Sequence, residues 1–98
     1  MTNYYVTYSF SDENARRQFY EEVKAEKIPE KSREEKGCIR YAYFLDADSD
    51  NKMFLWEQWE SRDAQKLHTQ QPHFEALSKI KEKYVLDTEI LVEDQYCR

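Results

Sequence analysis

Glycine occurs once in this 98-residue chain, at position 37, and proline and cysteine occur twice each. A nucleotide phosphate is usually cradled by a glycine-rich loop, where backbone amides approach the ligand unobstructed. A single glycine builds no such loop, so flavin and nicotinamide cofactors have no recognisable phosphate site. Cys38, near a strand start, and Cys97, near the chain end, make no disulfide framework and read as reduced small hydrophobes. No apolar run approaches the ~20 residues of a membrane span. The opening "MTNYYVTYSF" also lacks a basic segment followed by an apolar one. The 15 basic residues are interspersed with 20 acidic ones, for a net charge of −5. No basic block stands out, which argues against nucleic acid and anionic membrane as partners. The expectation is a cytoplasmic protein. At this length one core is all that fits, so residues 1–98 read as one domain.

Aromatic bulk is what the chain has in quantity: eight tyrosines, five phenylalanines and two tryptophans. "NYYVTYSF" reads as a strand, with Tyr4, Val6, Tyr8 and Phe10 on one face. "SDENARRQFYEEVKAEK" reads as a helix capped by Ser11 or Asp12, its apolar stripe made by Ala15, Phe19 and Val23. Pro29 lacks a backbone donor and should kink or restart that helix. Gly37 fits a left-handed helix cap. "CIRYAYFLD" alternates Ile39, Tyr41, Tyr43 and Leu45 against Arg40, Ala42 and Phe44, a second strand. "ADSDN" is turn chemistry. "KMFLWEQWE" is a third strand, with Met53, Leu55, Glu57 and Trp59 on one face. Ser61 caps a helix carrying Ala64, Leu67 and His68, interrupted by Pro72. It resumes with Phe74, Leu77, Ile80 and Tyr84, and "TEILVED" closes as a fourth strand.

The order β-α-β-β-α-β predicts an α+β ferredoxin-like sandwich, with helices on one face of a four-stranded antiparallel sheet. Phe44, Phe54, Trp56 and Leu91 then fall on the other face, too much apolar surface to leave wet. A second copy packed sheet to sheet, a dimeric α+β barrel, is the simplest cover.

Two stretches test for metals. "DADSDNKMFLWE" places acids at positions 1, 3, 5 and 12 of a calcium-loop pattern, namely Asp46, Asp48, Asp50 and Glu57. Asn51 stands where glycine belongs, and strands flank the segment where helices are required, so it reads as an acidic hairpin loop. His68 and His73 lie five apart across a proline with no cysteine nearby, so no closed tetrahedral zinc site is visible. No metal is expected.

Both tryptophans and both histidines fall within "FLWEQWESRDAQKLHTQQPHF". The longer segment "GCIRYAYFLDADSDNKMFLWEQWESRDAQKLHTQQPHFEAL" resembles the antibiotic biosynthesis monooxygenase superfamily of small dimeric α+β barrels. The matching features are Gly37-Cys38, then Glu57, Trp59 and Ser61, then His68, His73 and Phe74. That family includes cofactor-free oxygenases of quinols and anthrones, haem degraders and a signal-molecule isomerase. Haem degraders place a tryptophan on the second helix where this chain has His68, so haem breakdown does not fit. The resemblance implies a cofactor-independent monooxygenase and a homodimer. It also implies a pocket between sheet and helices, taking a small aromatic, quinol-like substrate and dioxygen. An isomerase of a small carbonyl metabolite, or a non-enzymatic ligand-binding dimer, are the alternatives.

Glu57 and His68 are the candidate catalytic residues. A carboxylate on the inner strand face needs a donor, and His68 on the second helix is the expected one. One reading is a glutamate-oriented imidazole acting as general base. The other is a buried pair that orders the strand–helix junction. Trp59, Tyr8, Tyr41, Tyr43, His73 and Phe74 are the candidate substrate-pocket residues. Trp59 equally suits a core anchor, and His73 a helix cap. Trp56 and Arg40 belong to the outer face.

Overall fold

The computed structural model describes residues 1–95, so Cys97 lies outside the described residues. The element order is β1 (Thr2–Phe10), α1 (Glu13–Ala25), α2 (Ile28–Arg33), β2 (Cys38–Leu45), β3 (Lys52–Trp59), α3 (Arg62–His68), α4 (Pro72–Tyr84) and β4 (Val85–Asp94). The strands form one antiparallel sheet in the order β2-β3-β1-β4, giving the expected ferredoxin-like α+β fold. Among the described residues no helix is long and apolar enough to cross a membrane.

Local chemistry sets the boundaries. Asp12 caps α1 by accepting from the Ala15 amide at 2.8 Å, and Ser61 caps α3 by accepting from the Ala64 amide at 3.1 Å. Each proline begins a helix, Pro29 in α2 and Pro72 in α4, where its missing N–H leaves no intrahelical bond unmade. The inner sheet face carries Val6, Tyr8, Phe10, Tyr41, Met53, Leu55 and Trp59, which form one core with Phe19, Val23, Leu77 and Ile80 of the helices.

Four sequence expectations shift. β4 begins at Val85, directly after α4 and earlier than "TEILVED" suggested. Gly37 is left-handed (φ +88°), but the residue capping α2 is Glu34 and Gly37 turns the chain three residues later. Leu67 is exposed, because α3 is only seven residues long and turns that side outward. Ile39 and Leu45 are exposed as well, since they lie at the two ends of the edge strand β2.

On the outer face a cross-strand row runs Ala42, Trp56, Tyr5, Leu91. Phe44 and Leu91 are 44% and 63% exposed there, so the apolar face is real and uncovered in the single chain. Arg40 spends its guanidinium on Trp56, 4.4 Å above the ring, and the Trp56 indole N–H donates to Asn3 Oδ1 at 2.9 Å.

Candidate functional site

Strand alternation puts Glu57 on the inner face of β3, between Tyr41 of β2 and Tyr4 of β1 in the register. Two residues on, Trp59 shares that face, and its indole N–H donates to Glu57 Oε1 at 3.1 Å. The donor to Glu57 is therefore Trp59 and not His68, whose Nε2 stands 4.0 Å from the same oxygen. Ser61 starts α3 so that its last residue, His68, points back over Trp59. The His68 ring is 1% exposed and packs against Trp59, Tyr41 and Phe74 at centroid distances of 4.9, 5.6 and 5.3 Å.

The carboxylate that holds His68 is Glu35, in the loop between α2 and β2. Its Oε2 lies 2.5 Å from His68 Nδ1 and 2.7 Å from His73 Nε2. Gly37 makes this approach possible. Its left-handed backbone turns the loop, and a Cβ there would meet the Ala64 Cβ at 2.7 Å, so only glycine lets α3 come this close. The turn is tied down by the Cys38 amide donating to the Glu35 carbonyl and the Glu60 amide donating to the Gly37 carbonyl. His73, at the start of α4, is thus a partner of Glu35; α4 has no side-chain cap at all.

Proton accounting fixes the tautomers. An ionised carboxylate only accepts, so both imidazoles must donate to Glu35, His68 from Nδ1 and His73 from Nε2. A neutral His68 then carries its lone pair on Nε2. That atom is buried and has no hydrogen-bond partner among the described residues. Burial pushes the Glu57 carboxyl up to about 7, against the indole N–H, and the charge of Glu35 adds to the rise. Burial also holds the His68 imidazole below its ordinary value, opposed by Glu35. The phenols of Tyr8, Tyr41 and Tyr43 are all pushed up by burial and stay protonated at neutral pH.

Of the expected pocket residues, His73 and Phe74 flank His68, while Tyr8, Tyr41 and Trp59 are buried in the core beneath it. Tyr43 reaches a different place, an apolar cleft of about 230 Å³ lined by Tyr20, Tyr43, Phe44, Leu45 and Met53. Its hydroxyl lies 3.5 Å from that of Tyr41, which in turn packs on His68. A larger groove of about 460 Å³ between α1 and α4 shares no side chain with the histidine cluster. The acids Asp46, Asp48 and Asp50 sit in an exposed loop, with Asp46 accepting from the Asp48 amide, whereas Glu57 points into the core.

Residues 4–79 match the family model described as antibiotic biosynthesis monooxygenase. The chain belongs to this family. Solved structures of the antibiotic biosynthesis monooxygenase fold superpose along almost the whole chain. A provisionally assigned member from Nitrosomonas europaea is 18% identical, with 97% of this chain and 98% of that one covered at a TM-score of 0.86. Another from Deinococcus radiodurans is 21% identical, covering 100% and 95% at a TM-score of 0.84. At these identities the likeness shows the fold. An uncharacterized protein of Synechocystis is 42% identical over 45 residues, and YjcS of Bacillus subtilis, also uncharacterized, is 36% identical over 47 residues. The matched segments span 31% and 45% of those curated relatives' lengths.

Glu35 is the site residue that sequence reasoning missed. It sits in the charged run "REEKG", where nothing distinguishes it from Glu34, and it meets His68 only through a turn 33 residues away in sequence.

Proposed function

We propose that this family member is a cofactor-independent monooxygenase of small, quinol-like aromatic substrates, with His68 as the base. One observation carries the reading: the partnerless His68 Nε2 faces Glu57 Oε1 across 4.0 Å. An oxygen about 2.8 Å from both atoms would bridge them at an angle of about 90°, which suits a single substrate hydroxyl. His68 Nε2 takes the phenolic proton, and the imidazolium formed is steadied by the Glu35 carboxylate on Nδ1. The substrate anion passes one electron to dioxygen, and the radical pair closes a carbon–oxygen bond to a peroxide anion. His68 returns its proton to that peroxide, and loss of water leaves the oxidised carbonyl. Per turnover, one dioxygen and one substrate give one oxygenated product and one water.

The 230 Å³ apolar cleft beside Tyr43 is a place for a flat ring, joined to His68 only through the Tyr43–Tyr41 hydroxyl contact. Glu57 holds the far side of the bridging oxygen. The functional unit is a homodimer, because the outer sheet face needs cover and a second copy offers the matching surface.

A second reading, an isomerase of a small hydroxy-carbonyl metabolite, is favoured by the opposition of a carboxyl and a base lone pair across one oxygen's width, the arrangement that enolisation uses. Oxygen uptake with a quinol separates the two, since an isomerase consumes none and instead exchanges substrate protons with deuterated water. If His68 is the base, His68→Ala lowers turnover per folded dimer by roughly 10²–10⁴-fold. Turnover within a few-fold of native would refute the role. A non-enzymatic ligand-binding dimer predicts neither reaction.

A further inference from the structure

We propose that Glu35, His68 and His73 bind one divalent transition-metal ion of the zinc, cobalt and nickel type, and that this ion and the free base are alternative states of His68. The donor set is one carboxylate oxygen and two imidazole nitrogens, the mixture these borderline ions prefer. The three donor atoms all lie within 4.8 Å of one another. They come from three separate places in the fold, the α2–β2 loop, the end of α3 and the start of α4, and they form one small cluster.

The site is nearly dry and sets one carboxylate against two imidazoles. The side chains of Glu35, His68 and His73 are 11%, 1% and 9% exposed. Most of their water is already gone before an ion arrives, and a carboxylate oxygen is a donor that suits a cation. The two contacts of Glu35 Oε2, at 2.5 and 2.7 Å, are hydrogen-bond lengths. Ligands held at about 2.1 Å from an ion stand roughly 3.0–3.4 Å apart, so an ion needs Glu35 to draw back by about half an ångström and the two imidazole nitrogens to close to no more than about 4.2 Å. A loop glutamate manages that by turning its terminal torsions. Three protein ligands leave at least one position open, which fits an exchangeable ion better than a structural one.

The orphaned nitrogen is the second observation. When an ion takes His68 Nδ1, the ring proton moves to Nε2. The buried atom without a partner then becomes a donor facing Glu57 Oε1, 4.0 Å away. A metal-bound imidazole whose other nitrogen faces a carboxylate is the usual outer arrangement of such sites. The same proton shift removes the lone pair on which the proposed base depends, so ion binding silences it. This inference goes beyond the monooxygenase reading, and its binding half stands without it.

The test uses tagless full-length protein, stripped with a chelator and dialysed. Cobalt(II) is titrated in while visible d–d absorption is recorded, and zinc binding is followed by calorimetry. The expected result is one ion per chain, weakened in Glu35→Gln and in His73→Phe by more than the roughly 10–100-fold that loss of an outer partner of a ligand costs, since each variant removes a ligand itself. In the native protein, cobalt should shift the ring-proton resonances of both histidines and of no other aromatic to the same degree. That measurement decides the matter even if a variant fails to fold. No d–d bands, or binding equally tight in both variants, overturns the site. Oxygen uptake should fall as the ion saturates and return on chelation, and uptake unchanged at full occupancy overturns the exclusion. Because binding is read without substrate, absence of oxygenase activity would leave it standing, and absence of binding would leave the activity standing.

Discussion

Replacing Gly37 with alanine should cost about 2–5 kcal/mol, and the structure says where each part arises. The backbone there has φ +88°, a region that L-residues occupy at roughly 1–2 kcal/mol. The new Cβ would also sit 2.7 Å from the Ala64 Cβ. Neither atom can rotate away, since both are fixed to backbone, so the loop and α3 must separate. Overpacking of this kind typically costs about 1–3 kcal/mol. For a domain whose whole stability is on the order of 5–15 kcal/mol this is a large fraction. Urea denaturation of Gly37→Ala, Ala64→Gly and the double variant separates the two terms. Ala64→Gly alone should lose about 1 kcal/mol as an interior helix glycine. In the double variant the clash is relieved while the backbone strain remains, giving a favourable coupling of about 1–2 kcal/mol. A loss below about 1 kcal/mol for Gly37→Ala, or no coupling, would refute the close approach. It would also undermine the placement of Glu35, which lies two residues earlier on the same turn.

Other outcomes follow from burial and charge. The Glu57 carboxyl rises from 4.5 to about 7, so its folded-state protonation contributes stability that is complete below pH 4.5 and lost as pH rises through 7. Glu57→Gln should therefore gain on the order of 2–3 kcal/mol over native at pH 8, with little gain at pH 4.5, and equal gains in urea melts at both pH values would contradict the burial argument. Burial raises the Cys38 thiol to about 11, helped by the charges of Glu35 and Glu57. In a Cys97→Ser background, its reaction with a disulfide reagent at pH 8 should run roughly a hundredfold slower than a free thiol, and an ordinary rate would show that the site is open. Light scattering should give about 24 kDa, twice the 12.0 kDa chain, and Trp56→Asp should give monomer or insoluble protein because it buries a charge in an apolar seam. A native monomer at micromolar concentration would sink the dimer. The melting temperature should be the same in excess calcium as in chelator, since the loop acids are solvated and Glu57 is turned into the core.

Most of the fold was legible because its signals are local. Alternation in "KMFLWEQW" gave the inner face of β3 residue by residue, and all four of its predicted inner residues are buried. Caps at Asp12 and Ser61 and the two prolines set four helix starts. Failures fell where periodicity gives direction but not coverage. Ile39, Leu45 and Leu67 follow the pattern yet stay exposed, because what covers a residue depends on how far a neighbouring element extends.

Glu57, His68 and His73 stand out in the sequence, while Glu35, which binds both imidazoles, does not. Strand alternation marks Glu57 as a buried carboxylate needing a donor, and the inner-face imidazole of His68 is the donor the sequence offers. The fold instead satisfies each from elsewhere, Glu57 from the Trp59 indole two residues along the strand and His68 from Glu35. That leaves the two groups facing each other without a bond between them. A closed Glu57–His68 pair would have consumed the only lone pair that His68 can offer, and the site would then be a structural clasp. Held apart at 4.0 Å, with Nδ1 tied to Glu35, the imidazole leaves Nε2 without a hydrogen-bond partner among the described residues, which the proposed base requires. The pairing that the fold adopts is thus the one the proposed role needs, and it turns on Gly37, the one glycine in the chain, letting the Glu35 turn meet α3.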